Sequence, residues 1–124
     1  MEGRRKGMTP EELGKRMQEF GIMVIEFVDH LPFSYTARHM GRQLMRASTS
    51  IGANYAEAQA AESKADFTHK LQISLKECRE SHYWLKLLFA RQLGPKDPLC
   101  RLLSESSQLG SILSSAVLTA KSRP

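Results

Sequence analysis

The chain has 124 residues, enough for one domain whose core needs neither disulfide nor metal. A 41% hydrophobic and 25% charged composition with five prolines and eight glycines excludes a fibrous or disordered chain. The longest strongly apolar run, Phe20 to Val28, is broken by Glu26 and is too short to span a bilayer. The net charge of +5 is unevenly spread: residues 9–34 hold five acids against two bases, while the rest of the chain is basic, including Arg4, Arg5 and Lys6. That asymmetry points to an acidic partner such as nucleic acid, or to helices that pair with one another.

The first helix is predicted to open at Thr9-Pro10-Glu11-Glu12. Thr9 is the cap, proline suits the first helical position, and Glu12 completes a capping box. Its seam is Leu13, Met17, Phe20, Val24, Phe27 and Leu31, in alternating steps of four and three, and Pro32 ends it. The second helix begins near Ser34, with the seam Ala37, Met40, Leu44, Ala47, Ile51, Asn54 and Ala58. Small residues dominate that stripe, so a neighbouring helix can approach closely. A joint follows near residues 61–63, where Ser63 and Asp66 read as a fresh cap.

The third helix carries Leu71, Leu75, Cys78, His82, Leu85 and Phe89, and Gly94-Pro95 stops it. The fourth starts with Asp97 as cap and Pro98 at the first position. Its seam is Leu99, Leu102, Ser106, Leu109, Leu113, Ala116 and Ala120. No period-two pattern competes, and short joints make neighbours antiparallel. The predicted fold is all-α, an up-down-up-down four-helix bundle over residues 9–121, with a basic tail at 1–8 and a short end at 122–124. With no signal-peptide pattern and with Cys78 and Cys100 reading as free thiols, the expected location is the cytoplasm.

Some apolar residues exceed what a monomer needs. The stretch holding Ile22 and Ile25 is apolar nearly all round, and Ile73, Trp84 and Leu87 form a second stripe on the third helix. These five are the predicted interface of a homo-oligomer. Catalysis finds little support: Asp66-x-x-His69 is a lone carboxylate-histidine spacing, no CxxC exists, and no glycine-rich phosphate loop occurs. Cys78 and His82, one turn apart, read as a buried thiol beside a core histidine rather than as a nucleophile. The reading is of a non-enzymatic protein without metal or cofactor.

The second helix holds the more specific signals. Arg38, Arg42 and Arg46 recur every four residues on a face with no acid between Tyr35 and Ser50. They suit an RNA or DNA backbone, pairing with the glutamates at 12, 19 and 26 across an oligomer, or solvent. Inside, Asn54 falls in the seam and Gln43, Ser50 and Glu57 recur beside it. With Glu77 and Ser81 they are expected to form a structural hydrogen-bonded network.

The run Gly41 to Ala58, GRQLMRASTSIGANYAEA, resembles the hallmark of the bacterial four-helix-bundle family also called ribosomal-RNA intervening-sequence proteins. Gln43, Leu44, Arg46, Ala47, Ser50, Ile51, Ala53, Asn54, Ala56 and Glu57 match its pattern in place. Phe67, Leu71, Ile73, Ser74, Glu77 and Leu85 resemble its third helix. Tyr55 stands where an aliphatic is usual, and Ala58 where a glycine is usual, which lets the second helix run on. The resemblance, over about residues 13–117, implies a homopentamer of four-helix bundles. Related bundles bind nucleic acid as accessory proteins to a reverse transcriptase, so an adaptor that recognises such a protein is the alternative. A likeness of fold does not transfer an activity.

Overall fold

The computed structural model describes residues 7–123; the basic triplet Arg4-Arg5-Lys6 lies outside them. Among the described residues the chain forms four α-helices and no strand: α1 Pro10–Asp29, α2 Tyr35–Gln59, α3 Lys64–Ala90 and α4 Lys96–Ser122. Three of the four starts are set by hydroxyl caps, which satisfy backbone N–H groups that a first turn leaves unpaired. Thr9 Oγ1 accepts from the Glu12 N–H at 3.1 Å while Glu12 Oε1 accepts from the Thr9 N–H at 2.9 Å. Ser34 Oγ accepts from Ala37 at 3.1 Å, and Ser63 Oγ from Asp66 at 3.0 Å.

The fourth start differs from expectation. Asp97 does not cap; α4 begins two residues earlier, at Lys96, with Pro95 as N-cap and no side-chain cap bond. Pro98 sits inside the first turn, where its missing N–H costs nothing, and Asp97 there meets the positive end of the helix dipole.

The α3 stop also differs. The helix ends at Ala90, short of Gly94, in a Schellman motif. The Leu93 N–H donates to the Leu88 carbonyl at 3.0 Å and the Gln92 N–H to Phe89 at 3.1 Å. Gln92 takes the left-handed position itself, at φ 55°, and Gly94 turns the chain again at φ 85°.

The seams supply the core, with shifts that follow from helix geometry. All α1 seam residues are buried except Leu31, which is half-buried and packs against the core. On α2 the buried position is Tyr55 rather than Asn54, which is half-buried. On α3 it is Leu88 rather than Phe89, with Ser74 and Ser81 also buried, and on α4 it is Val117 rather than Ala116. Each shift is a choice between a three- and a four-residue step, 100° apart on the helix, which the facing partner decides.

The helices meet in a consistent order. Arg46, Ile51 and Glu57 along α2 touch, in turn, Glu77 and Glu80, Ser74, and Lys70 of α3. Ser74 Oγ reaches the Ile51 carbonyl at 2.8 Å, an approach only a small side chain permits. On the other side, α1 is clamped to α4 by Arg16, whose Nε donates to Glu105 at 2.6 Å and whose second nitrogen reaches Glu105 and Gln108, each at 2.9 Å. Among the described residues no helix is long and apolar enough to cross a membrane.

Candidate nucleic-acid interface

The corner between α1 and α2 is built by short-range forces. Pro32 bars continuation of α1, the Ser34 N–H donates to the Pro32 carbonyl at 3.0 Å, and the Ser34 hydroxyl then caps α2. Phe33 and Tyr35 on either side of that cap fall in neither seam, so nothing in the bundle covers them: they are 99% and 91% exposed. One turn on, Arg38, His39 and Arg42 share with them a depression of roughly 360 Å³. Among the described residues neither Arg38 nor Arg42 is ion-paired; Asp29 lines an adjoining depression with both. The first turn of α2 holds no acid, although the helix dipole favours one there.

Arg46 is placed apart from this pair. Its guanidinium is bonded to Glu80 and reaches Glu77 at 3.5 Å, both on α3. It therefore pairs within the bundle, with α3. The bond to Glu80 strengthens the Arg46 cation. Hydrogen bonds from Trp84 and then from Arg46 hold the Glu80 carboxyl below its usual range. The Trp84 indole N–H donates to Glu80 at 3.1 Å, and the ring stands edge-on to His39 and to Tyr83, with centroids 5.8 and 5.7 Å away. The three arginines form a free pair and a tethered third.

The six residues expected to share a polar network make mostly separate local bonds. Ser50 Oγ donates to the Arg46 carbonyl at 2.8 Å, Asn54 Nδ2 to the Ser50 carbonyl at 2.9 Å, and Ser81 Oγ to the Glu77 carbonyl at 2.9 Å. Each stays within its own helix, because a hydroxyl or amide four residues on lies over the preceding turn. Glu57 pairs with Lys70 at 2.7 Å, Glu77 with Arg46, and Gln43 is half-buried. The buried polar link between α3 and α4 lies elsewhere. His82 Nδ1 is 2.7 Å from Ser106 Oγ, which donates to the Leu103 carbonyl at 3.1 Å, and Cys78 Sγ donates to the Ser106 carbonyl at 3.3 Å. With its proton on Leu103, Ser106 Oγ accepts from His82. Burial pushes the Cys78 thiol up to about 11 and, with Lys86 assisting, the His82 imidazole down. A protonated thiol and a shielded hydroxyl are poor nucleophiles.

Of the residues expected at an oligomer interface, Ile22 and Ile25 are well exposed. They edge an apolar groove of roughly 710 Å³ between α1 and α2, whose lining includes Gly14, Gly21, Gly52, Ala53 and Ala56. Ile73, Trp84 and Leu87 are half-buried, and the last two pack against the protomer's own core. Among the described residues no group of three or more histidine, cysteine, aspartate or glutamate side chains is placed to hold a metal; Asp66 and His69 are both exposed.

The family description "23S rRNA-intervening sequence protein" matches residues 12–115, which reach into all four helices. The chain belongs to that family. A crystal structure from Bacteroides thetaiotaomicron VPI-5482, described as a protein of unknown function from the S23 ribosomal protein family, is similar at 32% identity. The match covers 89% of this chain and 98% of that one, with a TM-score of 0.80. No curated protein matches. The resembling run from Gly41 to Ala58 lies within α2 and ends one residue before its last. Its residues divide between packing on α3, through Ile51 and Glu57, and lining the apolar groove, through Gly52, Ala53 and Ala56.

Phe33 and Tyr35 are the site residues that sequence reasoning did not single out. Their signal was present: two aromatics outside every seam, flanking a cap beside a proline.

Proposed function

We propose that the protein is a non-enzymatic, cytoplasmic homo-oligomer of antiparallel up-down-up-down bundles that binds RNA or DNA through the Arg38 and Arg42 end of α2. The carrying observation is that these two guanidiniums are exposed, one turn apart and without a carboxylate partner among the described residues, whereas Arg46 is already neutralised by Glu77 and Glu80. Cations without an ion pair among the described residues suit phosphate, and Arg38 stands near the helix start, where the dipole already favours anions. Self-assembly is supported by the apolar groove bordered by Ile22 and Ile25, and the family likeness suggests five copies.

Binding of a labelled nucleic acid, followed by anisotropy at several salt concentrations, tests this. Replacing both Arg38 and Arg42 by alanine lowers the log–log salt slope by about 0.7 to 0.9 for each phosphate that is no longer neutralised. Arg46→Ala leaves the slope nearly unchanged. Equal affinity and equal slope in the double variant would overturn the assignment.

A second reading, an adaptor oligomer that recognises a protein such as a reverse transcriptase without touching nucleic acid, is favoured by the same groove. Its floor of small residues admits a helix. Ile22→Glu with Ile25→Glu lowers the mass measured by light scattering if the groove is the self-association surface. An unchanged mass turns the groove over to a foreign partner.

A further inference from the structure

We infer that the α1–α2 corner is a site for unpaired nucleotides, in which bases stack on Phe33 and Tyr35 while the flanking phosphates meet Arg38 and Arg42. This rests on the nucleic-acid reading above and narrows it to single strands.

Large aromatic side chains gain from leaving water, yet this corner leaves two of them, Phe33 and Tyr35, almost wholly exposed. Both rings line the same depression as Arg38, His39 and Arg42, so apolar faces and cations are interleaved rather than segregated. That combination is what a single strand needs: π-faces for its bases and positive charge for its backbone. Arg38 and Arg42, four residues apart, are separated by about 6 Å along the helix axis, which suits neighbouring phosphates on one strand. A duplex has its bases already stacked on one another, so two protruding rings would add nothing to its binding, whereas the arginines would serve both forms.

Pro32 and the Ser34 cap hold the two aromatics at fixed places, so little backbone order is lost on binding. The apolar groove between α1 and α2 offers a contrast: it has Ile22, Ile25 and small residues but no arginine. The two surfaces fit different partners.

The experiment compares an unstructured oligouridine of about 12 nucleotides with a fluorescent end label and a mixed-sequence RNA duplex of the same length, by anisotropy on the intact chain. The wild type binds the single strand more tightly. Phe33→Leu with Tyr35→Leu keeps apolar bulk and removes the π-faces. It weakens single-strand binding by roughly 5- to 150-fold for each base deprived of its platform, with an unchanged salt slope and unchanged duplex binding. Phe33→Tyr with Tyr35→Phe restores the affinity. Both positions are solvent-exposed, so the fold survives, and circular dichroism verifies that.

If the leucine variant binds the single strand as the wild type does while the arginine variant has a shallower salt slope, the stacking site is wrong and the nucleic-acid reading stands. If the arginine variant is also unaffected, both are wrong. If the leucine variant instead changes the oligomer mass in light scattering, the corner is an interface between copies, and the stacking assignment is overturned.

Discussion

Replacing Gly94 by alanine tests how the α3–α4 turn is held against α1. Gly94 sits at φ 85°, where an L-residue with a Cβ loses about 1–2 kcal/mol. The added methyl would also lie 2.7 and 2.8 Å from the ring atoms Cζ and Cε1 of Phe27, and 3.0 Å from Leu31 Cδ2. Phe27 is one of the large fully packed core side chains, so its ring cannot step aside without displacing its neighbours. Overpacking of that kind costs about 1–3 kcal/mol more. The combined loss is therefore about 2–5 kcal/mol, read from urea melts as a lower midpoint with an unchanged m-value. A loss under about 1 kcal/mol would refute the reasoning, because it would mean that the turn swings free of α1 and that Phe27 is not pinned by it.

Two residues earlier the sign reverses. Gln92→Gly removes a Cβ from a left-handed position whose backbone bonds are already complete, and stability rises by about 0.5–1 kcal/mol in the same melts. Acid weakens the fold in two windows. His82 is held below 6.5 by burial, so the unfolded chain binds its proton first and stability falls as pH drops below about 6.5. Glu80 is held below 4.5 by Trp84 and Arg46 and adds a second loss below that value. In His82→Gln the upper decline of the urea midpoint disappears and the lower one remains; a persisting upper decline would remove His82 as its source. Among the thiols, exposed Cys100 is alkylated quickly at neutral pH. Cys78, protonated and bonded to Ser106, reacts only as the protein unfolds, so two fast thiols by mass spectrometry would contradict the packing.

The sequence by itself determined the elements. Apolar steps of three and four, and hydroxyls at 9, 34 and 63, are local signals, and the first three helices start where those signals put them. The run from Gly41 to Ala58 carried the family, because small and polar residues in one helix form a pattern that chance rarely repeats. The choice between adjacent seam positions was decided by tertiary structure alone. Asn54 or Tyr55, Phe89 or Leu88, Ala116 or Val117 are a single step apart, and only the facing helix selects which one is covered.

The same holds for the charged face. Spacing put Arg38, Arg42 and Arg46 on one stripe, but spacing within a helix says nothing about what the next helix brings. The crossing of α3 delivered Glu77 and Glu80 to Arg46 and left the other two without an ion pair among the described residues. It also decided which polar residues are interior. Ser50 and Asn54 bond along their own helix, whereas Ser74, Ser106 and His82 make the buried links between helices. Local periodicity reports which residues share a side. What stands on the other side depends on residues far apart in the chain, and only packing brings them together.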